Sequence, residues 1–424
     1  MLRTLLPSFF LGSCVFLSCG LIGPGASSPA WGQEPSPASP PAASADADSE
    51  ATANEDAEAA AVASRVDALI AELGSGSFQT REAATAELLA IGVPALATLS
   101  QARKEEDPEV RQRISMISQR LAQDDLEARI EAFLSAAPGA SLPGWDYARK
   151  QLGDRPVLRE LFVEITRKHP KLAASLEGSP RDRTIALQEA STQINMSMIG
   201  IASLPNFSDA IALLLAAVAP DTPPTEAVDA TILRLFTRRE STVALQDAEV
   251  SNPLRRLLGQ WIPQVTKPRR AEAMFFSMQW NIDEGLLLAT QTIREADDIE
   301  TLEFALQTVA RFGSPSDALM LKPLLDDERP AGYASLDLSG RPLRTQVGDV
   351  AMAAIGVING RKLRDLGFPM AETHPQVGFN VETLGFPIGE AGNEARARVR
   401  EEIAPLVQAV ERKEDIVPRA ERAK

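Results

Sequence analysis

The stretch from Ser64 to Leu121 limits what this chain can fold into more than any other. Val66, Leu69, Ile70 and Leu73 fall at i, i+3, i+4 and i+7; Ala84, Leu88 and Ile91 at i, i+4 and i+7; Leu96 and Leu99 at i and i+3; Val110, Ile114, Ile117 and Leu121 at i, i+4, i+7 and i+11. Each set lands on one side of an α-helix, so the stretch predicts four short amphipathic helices. None can bury its stripe alone, and helical hairpins in that position stack on their neighbours as a solenoid. The punctuation agrees. Gly92 is placed to end the second helix, Pro94 to open the third, and Asp107-Pro108-Glu109 to cap and open the fourth.

Composition supports an all-α fold. Of 424 residues, 44% are hydrophobic and 24% charged, enough apolar content for a large core, yet only 5% are aromatic. Alanine and leucine fill the gap, which suits close helix packing better than a sheet of β-branched and aromatic residues. A formal net charge of −15 repels phosphate backbones and anionic lipid surfaces, so nucleic acid is not an expected partner.

Residues 1–32 have the pattern of a secretory signal: Arg3, an apolar run from Leu5 to Ile22, and Ala30-Trp31-Gly32 as a small-x-small cleavage site. A signal anchor is the alternative, although Pro7, Gly12, Ser13, Ser18 and Gly20 interrupt the run. Leu11-Gly12-Ser13-Cys14 also resembles a bacterial lipobox, which implies a lipid on Cys14. Cleavage at Gly32 removes both cysteines, Cys14 and Cys19, and with them disulfides, thiolate metal sites and cysteine nucleophiles. The mature chain is then expected in the periplasm or cell envelope, with no membrane span.

Residues 33–60, rich in Pro, Ala, Ser and acidic side chains, read as a disordered tether whose end, Glu55 to Val62, is able to fray into the first helix. The helical repeats occupy 61–135. A loop from Ala136 to Pro143 marks a boundary, and 136–281 form a central helical region. There Leu158, Leu161, Phe162 and Ile165 define one helix. Ile211, Leu214, Leu215 and Val218 define the most apolar one, opened by Ser208, closed by Pro220 and expected at the buried centre. Val228, Ile232 and Leu235 give another, and Leu254, Leu257, Leu258 and Trp261 the next. From 282 to 424 the early punctuation returns: Asp298 opens a helix, Gly313 closes it, and Ser314-Pro315 opens another. An insertion from Ala331 to Thr345, able to form a small β-hairpin around Asp337–Gly340, separates these from a helix carrying Val347, Val350, Ala351, Ala354 and Ile358. Phe379 and Phe386 are expected anchors, and a helix at 393–412 is expected to cap the stack.

Reactive motifs are absent. There is no H-E-x-x-H, G-x-S-x-G, Walker A, G-x-G-x-x-G or EF-hand pattern. His169 and His374 each precede a proline at an expected element end, where histidine serves a helix dipole or faces solvent. Glu105-Glu106-Asp107, Asp124-Asp125, Asp297-Asp298 and Asp326-Asp327-Glu328 suit caps and turns, with calcium binding the alternative. No catalytic, cofactor-binding or metal-ligating residue is assigned, and no cofactor.

Asp107-Pro108-Glu109-Val110-Arg111, with Ala84, Leu88-Leu89, Gly92 and Pro94 before it, resembles the HEAT repeat family of α-solenoids. That resemblance implies that Asp107 and Arg111 tie adjacent units together, and it implies a protein-binding surface. In the second copy, Gly348 stands where the arginine would be. Gly144-Trp145, Leu161–Glu164, Asp349–Ala353 and Asp365–Phe368 are similar to segments of exported HEAT-like proteins of planctomycete-type bacteria, which implies export and no particular chemistry. The expected function is therefore an exported, non-enzymatic scaffold that binds a protein partner through the inner helices and the 331–345 loop. The alternatives are a lyase or hydrolase with a facing carboxylate pair, and a self-assembling structural component of the envelope. The residues name no particular partner and no oligomeric state.

Overall fold

The computed structural model describes residues 46–102, 107–198, 204–295, 298–337, 339–371 and 373–416. The expected signal, both cysteines, the first part of the tether and the last eight residues lie outside them. Eighteen α-helices and five short strands make up the described residues. Among these residues no helix is long and apolar enough to cross a membrane.

The first four helices are α1 (Asp46–Leu73), α2 (Phe78–Ile91), α3 (Ala95–Gln101) and α4 (Pro108–Leu134). Their stripes meet in one apolar core that includes Val66, Leu69, Leu73, Leu88, Leu99 and Ile114. Ser77 caps α2 through the Thr80 N–H at 3.4 Å, and Asp107 Oδ1 caps α4 through Glu109 N–H at 2.8 Å and Val110 N–H at 3.4 Å. Gly92 ends α2 with φ +76°, a conformation glycine adopts without strain. Two differences from expectation have physical reasons. Helix α1 starts at Asp46, inside the expected tether, because alanine and glutamate are strong helix formers even where no stripe directs burial; Ala57–Ala61 are exposed. Helix α4 runs on past Leu121 to place Ile130 and Phe133 in a second core, so the two cores divide within one continuous helix, upstream of the 136–143 loop.

That second core is built by α5 (Trp145–Leu152), α6 (Pro156–Lys168), α7 (Pro170–Ser175), α8 (Pro180–Ser197), α9 (Phe207–Ala217), α10 (Glu226–Phe236), α11 (Arg239–Ala244) and α12 (Ser251–Trp261), together with everything that follows. Helix α9 is buried from Ser208 to Ala216, as its all-round apolar sequence requires, and it packs against α6, α7, α8, α10, α11 and α12. Its cap is Asn206 rather than Ser208: Asn206 Oδ1 accepts from Ser208 N–H at 3.0 Å while Asp209 returns a bond to Asn206 N–H at 2.7 Å. Phe133, Trp145 and Phe162 form an aromatic knot at the start of this core, with Trp145 centred 5.0 Å from Phe133 and 5.2 Å from Phe162. Gly144, at φ +87°, lets Trp145 enter it, since a Cβ there would lie 1.9 Å from the Ala173 carbonyl.

The chain ends in α13 (Arg270–Trp280), α14 (Gly285–Glu295), α15 (Ile299–Phe312), α16 (Ala318–Leu321), α17 (Val347–Ile358) and α18 (Glu390–Ile416). The insertion forms the hairpin of β1 (Pro330–Leu336) and β2 (Pro342–Gln346), paired antiparallel with Leu336 opposite Pro342. After β3 (Thr373–His374) and β4 (Gly378–Phe379), which pair with each other, β5 (Phe386–Pro387) adds to β2 and completes a three-stranded sheet. Phe379 and Phe386 are buried anchors. Gly348 has a steric reason: a Cβ would meet the Leu325 carbonyl at 2.8 Å, so no arginine fits. Helix α18 covers the end of the body with Val399, Ile403, Val407 and Val410.

Candidate functional site

Helix α10 turns Val228, Ile232, Leu235 and Phe236 into the core, which leaves Ala230, Arg234 and Thr237 along a different side. That side faces Glu272, Phe275 and Phe276 of α13 and Glu300 and Phe304 of α15 across a groove of about 520 Å³. The floor is aromatic. Phe275 lies 5.6 Å from Phe276 and 6.1 Å from Phe304 between ring centres, and Phe276 stacks on Trp280 at 4.7 Å. All three phenylalanines are half-buried, so each keeps apolar surface in contact with water that a ligand can cover.

The two walls carry different charge. On one side Arg234 Nη1 donates to Asn195 Oδ1 at 2.9 Å, and Arg269 pairs with Glu226 at 3.2 Å and Glu272 at 3.5 Å. On the other side α15 presents Glu300 and, along the same helix, Glu303, whose Oε1 accepts the Gly332 N–H of β1 at 2.6 Å. Burial pushes the Glu303 carboxyl above its ordinary value; the Gly332 N–H works against this, and the charges of Glu382 and Glu300 push it further up. Helix α15 thus joins the groove to the inserted hairpin. Beyond Gly332, Tyr333 and Leu336 of β1, and Ile388 just after β5, are each about two-thirds exposed.

Sequence reasoning passed over residues 267–281 and so missed the floor. A signal was there: Phe275, Phe276 and Trp280 within six residues of a chain that is only 5% aromatic.

The residues weighed from sequence lie elsewhere and apart. His169, expected at a helix end to serve the dipole or face solvent, does end α6, between α6 and α7, and is buried there with Nε2 2.7 Å from Asp209 Oδ1. Burial opposes the charge on Asp209, yet the His169 bond, the Asn206 N–H and Lys168 hold its carboxyl below the usual range. His374, the last residue of β3, is exposed, and its Nδ1 accepts the Gln376 N–H at 3.2 Å. Of the acidic clusters, Asp107 and Asp298 are helix caps, and Asp327 clasps Arg329 at 2.6 Å. Asp326 pairs with Arg400 at 2.9 Å. Asp124 and Asp125 lie mid-helix on α4, not at an end, and pair with Arg120 and Arg129. Glu105, Glu106 and Asp297 are outside the described residues.

Two further carboxylates are buried. Asp229 accepts from Trp261 Nε1 at 3.0 Å and from Thr266 N–H and Oγ1 at 2.8 and 2.7 Å. Asp349 pairs with Arg396 Nε at 2.9 Å and accepts the Gln346 N–H at 2.8 Å. Each faces donors rather than a second carboxylate, an arrangement that pins helices together. Among the described residues no group of three or more His, Cys, Asp or Glu is placed to hold a metal. In comparisons with known proteins the chain matches no family model, no curated protein and no solved structure.

Proposed function

We propose that this chain is an exported, non-enzymatic helical scaffold, its hairpins stacked as a solenoid, that binds a protein partner in the cell envelope. The observation that carries the proposal is the phenylalanine-floored groove between α10, α13 and α15. Helix walls spaced to leave half-buried aromatic rings suit the apolar face of a partner helix, and buried aromatic contacts supply most of the energy in such interfaces. The Glu303–Gly332 bond ties the inserted hairpin to α15, the helix that lines one side of the groove. The signal-like residues 1–32 support export.

The test is Phe275→Glu in the full chain, checked for unchanged helicity, alongside deletion of 331–345. Affinity capture from envelope extract followed by quantitative mass spectrometry is expected to lose the partner with Phe275→Glu and to weaken it with the deletion. An identical partner set from the parent and both variants removes the groove from consideration.

A further inference from the structure

We propose that the segment seated in this groove is a basic amphipathic helix, its apolar side chains on the phenylalanine floor and a lysine or arginine against Glu300, on the wall that Glu303 backs. This rests on the protein-binding proposal above and adds the chemistry of the partner.

The asymmetry of the walls argues for it. The arginines on the α10 side are already tied down, Arg234 to Asn195 at 2.9 Å and Arg269 to Glu226 at 3.2 Å. Among the described residues no cation pairs with Glu300, Glu303 or Glu382. Glu300 is exposed on the rim and Glu303 is half-buried behind it, bonded to Gly332 N–H; a Cβ on Gly332 would lie 3.9 Å from the Glu382 backbone N, so Glu382 stands next to that bond and its charge opposes that of Glu303. A partner with a neutral or acidic flank leaves Glu300 on the groove wall uncompensated, whereas a cation there pairs with it and eases its repulsion of Glu303 behind. Glu300 and Phe304 are one turn apart on α15, so the partner's cation belongs about one turn from its apolar anchor. The net charge of −15 adds long-range attraction for a basic segment.

The experiment uses the full chain and two fluorescein-labelled synthetic helices that share one Leu/Phe stripe, one flanked by lysines and the other by glutamates. Fluorescence anisotropy is expected to give the lysine helix roughly tenfold or more tighter binding at low salt, with the margin shrinking as salt is added. The triple variant Glu300→Gln, Glu303→Gln, Glu382→Gln is expected to erase that margin, and Phe275→Glu to weaken both helices. Equal affinity, a preference for glutamate, or a lysine preference that survives the triple variant overturns the charge inference alone. Binding of neither helix, or lysine-helix binding untouched by Phe275→Glu, overturns the groove itself.

Discussion

In the block formed by α1–α4, the ion pairs use carboxylates that stay near half-exposed: Glu87 with Arg65, Glu82 with Arg113, Glu109 with Arg81. In the body that follows, Asp349 meets Arg396 with its side chain fully out of solvent, Asp229 takes three donors while 2% exposed, and Asp209 holds His169 in the interior. The difference follows from helix length and neighbours. Long helices such as α1 and α4 bring continuous stripes together and need only surface pairs to decorate them. Short helices packed on several partners, as around α9, leave starts and ends inside, where backbone N–H groups and side-chain donors must be met by a carboxylate. One region is held by area, the other by area plus charges that cannot be left alone.

The sharpest break is Arg396→Ala. It strands Asp349 between α17 and α18, and the expected loss is about 3–5 kcal/mol, against much less for the paired Asp349→Leu, Arg396→Met. Chemical denaturation followed by tryptophan fluorescence reads this directly, because Trp145, Trp261 and Trp280 all lie in the body and none lies between Ser64 and Leu121. A double replacement as damaging as the single one contradicts the claim that the stranded charge is what hurts.

Next in size is Leu88→Ala, which opens a cavity in the first block at a cost of about 2–5 kcal/mol. Circular dichroism should register an earlier melting component while the tryptophan-detected transition stays put. If both move together, α4 couples the two cores into one cooperative unit and the contrast drawn above is one of composition only. Smaller again is Asp107→Ala. Loss of its bonds to Glu109 N–H and Val110 N–H is expected to cost about 1 kcal/mol, in the same component as Leu88→Ala.

How much was legible in the sequence divides along the same line. Stripes and caps are local signals, so the four-helix block, the caps Asp107 and Asp298, the buried α9 and the hairpin in 331–345 could all be found from neighbouring residues. Periodicity reports burial rather than helicity, which is why α1 upstream of Glu55 went unseen and α4 was cut at Leu121. The polar pins were out of reach because their partners are remote: Asp229 and Thr266 are 37 residues apart, His169 and Asp209 40, Asp349 and Arg396 47. The groove was hidden for a related reason. Phe275 and Phe276 fall in the stretch left unassigned and Phe304 lies off the Ile299, Leu302, Leu306 and Val309 stripe, and only the placement of three helices around them makes a groove.

The smallest expected effect bears on where the body departs from its own rule. Glu303 has one backbone donor and two acidic neighbours, Glu382 and Glu300, instead of a cation. Unfolded, a glutamate titrates at about 4.3; in the fold burial and those charges raise the value, so the folded state holds the proton more tightly. That contribution to stability is full in acid below the unfolded value and is lost as pH rises through the folded one. Glu303→Gln keeps an oxygen for Gly332 N–H and removes the charge. Its melting temperature should match the parent in acid and exceed it slightly at neutral pH, a divergence visible in a pH series. A lysine-flanked helix added at neutral pH should then raise the parent more than the variant, since binding stabilises the form it prefers. A gap that ignores both pH and peptide would mean that the carboxylate at 303 carries no electrostatic penalty, and that the uncovered wall of the groove is as settled as Asp349 beside Arg396.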